Sequence, residues 1–388
     1  TKEGAMAGKS IAVLDIRSSE VAVFVGERGV NRTFVFKASK TESYGGYQDG
    51  EFYDVSDLSA AVLRALDAVQ QVCGEKIRSL YVGVPGEFTK VEPREQDLGF
   101  PKKLKISNKE LDQLFSMGRK QPDGWRYMRV TSMVYVTADN RRVADPVGLY
   151  STGLSGVLSY FYVSEYFANT LEHIFSRRRI ELHFLPTQFA MAAYLIPPET
   201  RDEYALFLDI GHLSSSFLVL LGNGVLAQRT FWAGEGQIAV RLMKRFSLPY
   251  EVATALLAKA NLYLKRDAKN REVVYGGRSY EIPTKEFIEE VKAGLDDLCE
   301  LVGRFLEECS GKELDSKPIY VSGEGFAGIR GALEHMSKRL SCVCEQVAPD
   351  LPYYNKPSMS SRIALIDMAS EDSRASGSLK RFLNIFGG

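Results

Sequence analysis

Neither sign of charge is in excess: lysine and arginine number 49, and so do aspartate and glutamate. A balanced chain has no overall field with which to recruit nucleic acid. Cysteine is scarce and odd in number, five among 388 residues, which excludes a fully paired disulfide framework and fits a reducing compartment. No apolar run is long enough to cross a bilayer as a helix, and no leader pattern opens the chain. Residues 1–8 are small, polar and unpatterned and read as a processing remnant. A cytoplasmic location is therefore expected. The composition, 45% hydrophobic and 25% charged, is that of an ordinary globular protein, at a length that calls for two or more compact units.

The chain is organised around the stretch from Leu206 to Leu220, where two apolar runs flank Asp209-Ile-Gly211 and the hydroxyls Ser214, Ser215 and Ser216. Two such runs broken by a glycine-containing turn predict a buried hairpin. The pattern occurs once before, between Ser10 and Val25: an apolar strand, then Asp15-Ile-Arg17-Ser18-Ser19, then a returning apolar strand. A strand, an aspartate-and-hydroxyl turn and a strand, present twice half a chain apart, predict two related subdomains with one loop each on a shared cleft.

Between and beyond these hairpins the periodicities alternate. Leu58, Val62, Leu66, Val69 and Val72 fall at helical spacing after a cap at Asp54 or Ser56, and Ile77 to Val84 reads as a strand. From Glu87 to Val163 the chain is richer in charge and carries short strands around one helix, the pattern of an insertion. Thr284 opens a long helix with Phe287, Ile288, Val291, Leu295, Leu298, Val302 and Phe305 on one side. Pro318 to Ser322 is a buried strand that leads into Gly323-Glu324-Gly325-Phe326-Ala-Gly328. Ser370 to Ser378 reads as a polar linker. Beyond it, Leu379, Phe382, Leu383 and Phe386 recur at i, i+3, i+4 and i+7 with Lys380 and Arg381 off that stripe, the pattern of an amphipathic membrane-surface helix.

Other constellations have blander readings. Gly323-x-Gly325-x-x-Gly328 matches the dinucleotide fingerprint with Glu345 downstream, but the motif alone is weak and lies late in the chain. Cys342-x-Cys344 with His335 offers three ligands at most, and two cysteines on one strand face are the simpler reading. His212 reads as a structural plug, since no serine–acid pair accompanies it. Arg177-Arg178-Arg179 reads as a solvated helix C-terminus.

Taken together, the Asp15 loop, Asp145-Pro-Val-Gly-Leu149 with Leu154-Ser-Gly156, the Asp209-Ile-Gly211 loop, and Val273 to Glu308 followed by Ser322-Gly323-Glu-Gly325 resemble the FtsA family of bacterial cell-division proteins over nearly the whole chain. The resemblance implies an α/β, actin-like (ribonuclease-H-like) two-domain fold with an inserted subdomain. Its parts would be a first actin-like subdomain at 10–86 and 164–199, the insertion at 87–163, and a second actin-like subdomain at 200–232 and 316–369, the last stretch also returning to the first. A small subdomain at 233–315, a linker at 370–378 and an amphipathic tail at 379–388 complete it.

The resemblance also implies ATP with Mg as the cofactor, held by Asp15, Arg17, Ser18, Ser19, Asp209, Gly211, His212, Ser214, Ser215 and Gly323 to Phe326. Implied partners are an FtsZ-type tubulin-like ring protein, the cytoplasmic membrane, further copies of the chain in actin-like filaments, and other division proteins through the insertion.

Departures from the family pattern all touch phosphate. Arg17 stands where the family has glycine and Glu20 where it has lysine. His212 and Leu213 replace two glycines, Ser216 replaces an acid, and Thr254 and Leu257 replace an adenine-side Glu and Lys. Side chains at 212 and 213 obstruct the backbone donors a phosphate needs, and a carboxylate at 20 repels it. A cleft that takes ATP weakly or stays nucleotide-free, with no catalytic residue, is therefore expected. Two alternatives stay open: a pilus-assembly adaptor of the PilM type, and an active ATP-dependent enzyme of the actin and sugar-kinase superfamily.

Overall fold

Two five-stranded sheets of one topology form the frame of the computed structural model, which describes residues 10–29, 33–264, 269–309, 314 and 317–385, with side chains through 374. In the first, β1 (Ile11–Ile16), β2 (Glu20–Arg28) and β3 (Phe34–Ser43) run as an antiparallel meander. A small hairpin of β4 (Tyr47–Gln48) and β5 (Glu51–Phe52) follows, then α1 (Val55–Cys73) and β6 (Ser79–Val84), which pairs parallel to β1. Asp54 caps α1 by accepting from the amides of Ser56 and Asp57, as its sequence suggests. Leu58, Val62, Leu66 and Val69 are buried along it, whereas Val72 is exposed.

The insertion leaves after β6. Long strands β7 (Thr89–Lys105), β8 (Trp125–Thr137) and β10 (Tyr150–Ser164), with the short β9 (Arg142–Val143), make a four-stranded sheet in the order β7-β10-β8-β9. The helix α2 (Asn108–Met117) covers it, opened by a capping box between Ser107 and Glu110. The chain then returns through α3 (Glu165–Phe175) to β11 (Glu181–Pro186), which completes the first sheet parallel to β6. The helices α4 (Thr187–Leu195) and α5 (Pro198–Arg201) lead away from it.

The second sheet repeats the first. Strands β12 (Tyr204–Ile210), β13 (Ser215–Leu221) and β14 (Gly224–Phe231) form the meander. Then come α6 (Glu235–Phe246), α7 (Tyr250–Leu257), the hairpin β15 (Arg271–Tyr275) and β16 (Arg278–Ile282), and the long α8 (Thr284–Glu308). β17 (Ile319–Ser322) returns parallel to β12, and β18 (Cys344–Gln346) pairs parallel to β17 after α9 (Ala332–Leu340). Cys342 lies just before β18 and Cys344 opens it, with their thiols in hydrogen-bond contact, and His335 is engaged with Asp296.

The facing sides of the two sheets share one core. Val13 and Phe24 from the first, Phe207 and Leu218 from the second, and Phe189 and Leu365 from the helices between them are all buried in it. Leu365 belongs to α10 (Ser360–Ile385), which corrects one expectation. Residues 370–378, read as a polar linker, continue this helix without a break. Its first turns are anchored by buried Ile363, Ala364, Ile366 and Ala369. Once a helix is nucleated, each further residue adds a hydrogen bond at little cost, and no proline intervenes. Asp372 adds an ion pair with Arg129 of β8.

Leu379 to Leu383 thus lie on helical backbone, and Phe386 lies outside the described residues. Among the described residues, no helix is long and apolar enough to cross a membrane.

Candidate functional site

Both aspartate turns sit at corresponding ends of the two sheets and meet. Asp15 is the fifth residue of β1 and Asp209 the sixth of β12, each at the C-terminal end of a buried central strand. Such strand ends are where open α/β folds place their sites. Arg17, just past β1, crosses the gap and grips Asp209 with both arms. Nη1 donates to Oδ2 at 2.9 Å and Nη2 to Oδ1 at 3.1 Å. The side chains are 11% and 3% exposed. Gln188 at the start of α4 donates to the same Oδ2 at 3.0 Å.

Several other predicted residues join the contact. Ser18 Oγ accepts from the amide of Leu213 at 3.0 Å, a second link between the loops. The Gly211 amide donates to the carbonyl of Ser214 at 3.0 Å, closing the second loop on itself. His212 Nε2 lies 2.7 Å from the hydroxyl of Tyr250, on α7. The Ser215 hydroxyl donates to the carbonyl of Ala233, and Ser216 shares a hydrogen bond with Thr230. The Gly325 amide donates to the carbonyl of Ile210 at 2.9 Å, so the Gly323–Phe326 turn closes the same space from β17. Ser19 takes part through its carbonyl, which accepts from the amide of Tyr44 at 3.2 Å.

Three contributors were not read from the sequence: Gln188, Tyr44 and Tyr47. The Tyr44-Gly-Gly-Tyr47 run was visible as a turn, but nothing local shows where a turn will lie. Stacking fixes it. Tyr47 packs on Phe88 at 5.0 Å between ring centroids, and Phe88 on Phe52 at 5.2 Å and Phe167 at 4.9 Å. Tyr47 is buried beside Arg17 and Ser214, and the Tyr44 hydroxyl donates to the carbonyl of Arg17 at 2.8 Å.

The charge around Arg17 is mostly negative. Burial raises the Asp15 carboxyl above its ordinary value, opposed by Arg17 and by the Ser361 hydroxyl, which donates to Oδ2 at 2.6 Å. Burial likewise raises Glu324. One oxygen of each, Asp15 Oδ1 and Glu324 Oε1, is buried without a hydrogen-bond partner, as is Gln188 Oε1. Glu20 is paired with Arg362 at 2.9 Å.

A carboxylate with a raised folded pKa binds its proton more tightly folded than unfolded. The stability it contributes is full below the unfolded value and is lost as pH rises through the folded one. Asp15→Asn is therefore expected to melt above wild type near neutrality, and that advantage should shrink as pH falls into the ordinary carboxylate range. Melting temperatures over a pH series check this, and an advantage that grows on acidification would contradict it.

In this arrangement the space between the two loops is taken up by their own contacts. Both oxygens of Asp209 are occupied, and the cavity beside Arg17, Tyr47, Gln188 and Ser214 is about 10 Å³, room for about one water. The first amides of α6, natural donors to an anion, are already spent: Glu235 N donates to the carbonyl of Gly211 and Gly236 N to that of His212.

Paired sheets of one topology, with an aspartate turn from each meeting in the cleft between them, define an actin-like two-domain fold. No protein-family model matches the chain. Its sequence is 20% identical to the cell division protein FtsA of Pseudomonas aeruginosa over 347 residues, 86% of this chain and 83% of that protein. An FtsA of Streptococcus pneumoniae is 33% identical over 82 residues, 21% of this chain and 18% of that protein.

Among solved structures, the chain is similar to the PilM–PilN type IV pilus biogenesis complex, with a TM-score of 0.62 at 14% identity over 93% of this chain and 98% of that one. It is also similar to MreB5 of Spiroplasma citri bound to AMPPNP, with a TM-score of 0.57 at 9% identity over 96% and 99%. The chain thus has an actin-like fold and a sequence similar to that of FtsA proteins.

Proposed function

We propose that the chain is an actin-like scaffold of bacterial cell division. On this reading it assembles with further copies of itself on the inner face of the membrane and holds an FtsZ-type ring protein there, with a degenerate nucleotide cleft. The observation that carries it is the sequence match to FtsA over most of both chains, combined with a tail whose apolar residues follow helical spacing. Helical backbone through Ile385 supports that tail reading, since spacing of i, i+3 and i+4 makes one stripe only on a helix.

The test is co-sedimentation of the full chain with anionic vesicles. Each large apolar side chain buried at the interface contributes about 1.5–3 kcal/mol. Changing Phe382 and Phe386 together to Asp should therefore lower partitioning by about 100-fold or more, with the body still folded by circular dichroism. Undiminished sedimentation would rule out the tail as the anchor.

A pilus-assembly adaptor is the second reading, favoured by the fold similarity to the PilM–PilN complex. Recruitment of FtsZ polymers to vesicles by this chain separates the two: recruitment supports the division role, and its absence despite vesicle binding favours the adaptor.

A further inference from the structure

We infer that Arg17 is a built-in clasp: it stands where an actin-like protein would place metal and phosphate, and it draws the two halves of the chain shut without a nucleotide. The inference deepens the degenerate-cleft part of the reading above and rests on the fold alone, so the vesicle experiments bear on it in neither direction.

A nucleotide in such a cleft is a cross-link. It brings negative charge to donors from both halves and so favours closure. Here the cross-link is inverted, with the cation covalently part of one half and the anion part of the other. Arg17 and Asp209 are 192 positions apart in sequence, and the pair is two-pronged and nearly dry. A guanidinium fork fixes both position and angle of a carboxylate, which a point charge does not. Ser18 Oγ, which accepts from the amide of Leu213, adds a further hydrogen bond across the gap, donated from the opposite side.

The rest of the cleft is filled to match. On the side remote from Arg17, the Arg330 amide donates to the carbonyl of Ala260 at 3.0 Å and the Leu262 amide to that of Arg330 at 2.9 Å. These bonds press the end of α7 onto the turn after β17. A Cβ at Gly328 would stand 2.7 Å from the carbonyl oxygen of Ala258, so the two backbones touch there. His212 and Tyr250 occupy the middle, joined to each other. Charge excludes a phosphate chain as well. Asp15, Asp209, Glu20 and Glu324 cluster about two cations, Arg17 and Arg362, and further negative charge would meet a surplus of its own sign.

The experiment uses the full chain and two readouts, melting temperature and amide exchange over residues 15–20 and 209–216, each with and without millimolar Mg-ATP. Wild type is expected to show the same melting temperature and the same exchange in both conditions. Arg17→Lys keeps the charge and loses the fork, and is expected to melt several degrees lower with about tenfold faster exchange in both loops. Asp209→Asn should speed exchange in the first loop as well as its own.

Protection of either loop, or a rise in wild-type melting temperature, with Mg-ATP would overturn the clasp. So would an Arg17→Lys chain whose two loops exchange at the wild-type rate. If neither variant folds, the wild-type comparison with Mg-ATP still decides.

Discussion

Gly323→Val is expected to yield no stably folded protein, losing about 4 kcal/mol or more. Gly323 sits at φ +102°, a conformation that a β-branched residue adopts only under strain. A Cβ there would lie 2.2 Å from the carbonyl oxygen of Ile210 and 2.5 Å from Oδ1 of Asp209. Neither can retreat. The Ile210 carbonyl is held by the amide of Gly325, and the Asp209 carboxylate by Arg17 and Gln188. The substitution therefore attacks the end of β17, the end of β12 and the Arg17–Asp209 pair together. Soluble yield and chemical denaturation of Gly323→Val beside Gly323→Ala check it. The alanine variant should fall between wild type and valine, and a valine variant of near-native stability would mean the turn can relax.

Gly222→Val should have the second largest effect, about 2–4 kcal/mol, through a different joint. Gly222 begins the turn between β13 and β14 at φ +56°, and a Cβ there would stand 2.1 Å from the carbonyl oxygen of Met133 on β8. This is where the inserted sheet leans on the second unit. Close by, Ser159 Oγ donates to the carbonyl of Val225 at 2.9 Å and accepts from its amide at 2.8 Å, and the Asn223 amide donates to the carbonyl of Ser132 at 3.1 Å. Arg201 holds the turn from behind, donating to the carbonyl of Gly222 at 2.7 Å. Limited proteolysis should find β7 to β10 cut first in the variant, while the cleft loops keep their native protection. Simultaneous loss of both would show that the insertion is not a separable joint.

The two hairpins were legible because a buried strand that breaks at an aspartate and resumes after hydroxyls is a local pattern, and its recurrence reveals the second sheet as a copy of the first. The start of α1 was legible in part, since Asp54 and Ser56 both offered a cap, whereas the Ser107–Glu110 box that opens α2 was not read from the sequence. The partner of Arg17 was not. Its sequence neighbourhood suggested a cation for phosphate, and only the closing of two sheets on one core brings a carboxylate from 192 positions away to meet it. Tyr47 and Gln188 escaped because each owes its place to packing between distant elements. Residues 370–378 misled through composition: serine and glycine argue for a linker in isolation, yet a helix already anchored by Ile363 to Ala369 carries through them.

That last continuity has a mechanical consequence. At about 1.5 Å per residue, the 26 residues of α10 make one rod of about 39 Å, rooted between the two sheets at one end. A slack tether would report only nearness, leaving the body free to tumble above whatever holds its tip. A rod transmits torque. Whatever surface grips the far turns also fixes the tilt of the body, and copies held side by side would present the same face in the same direction before they touch.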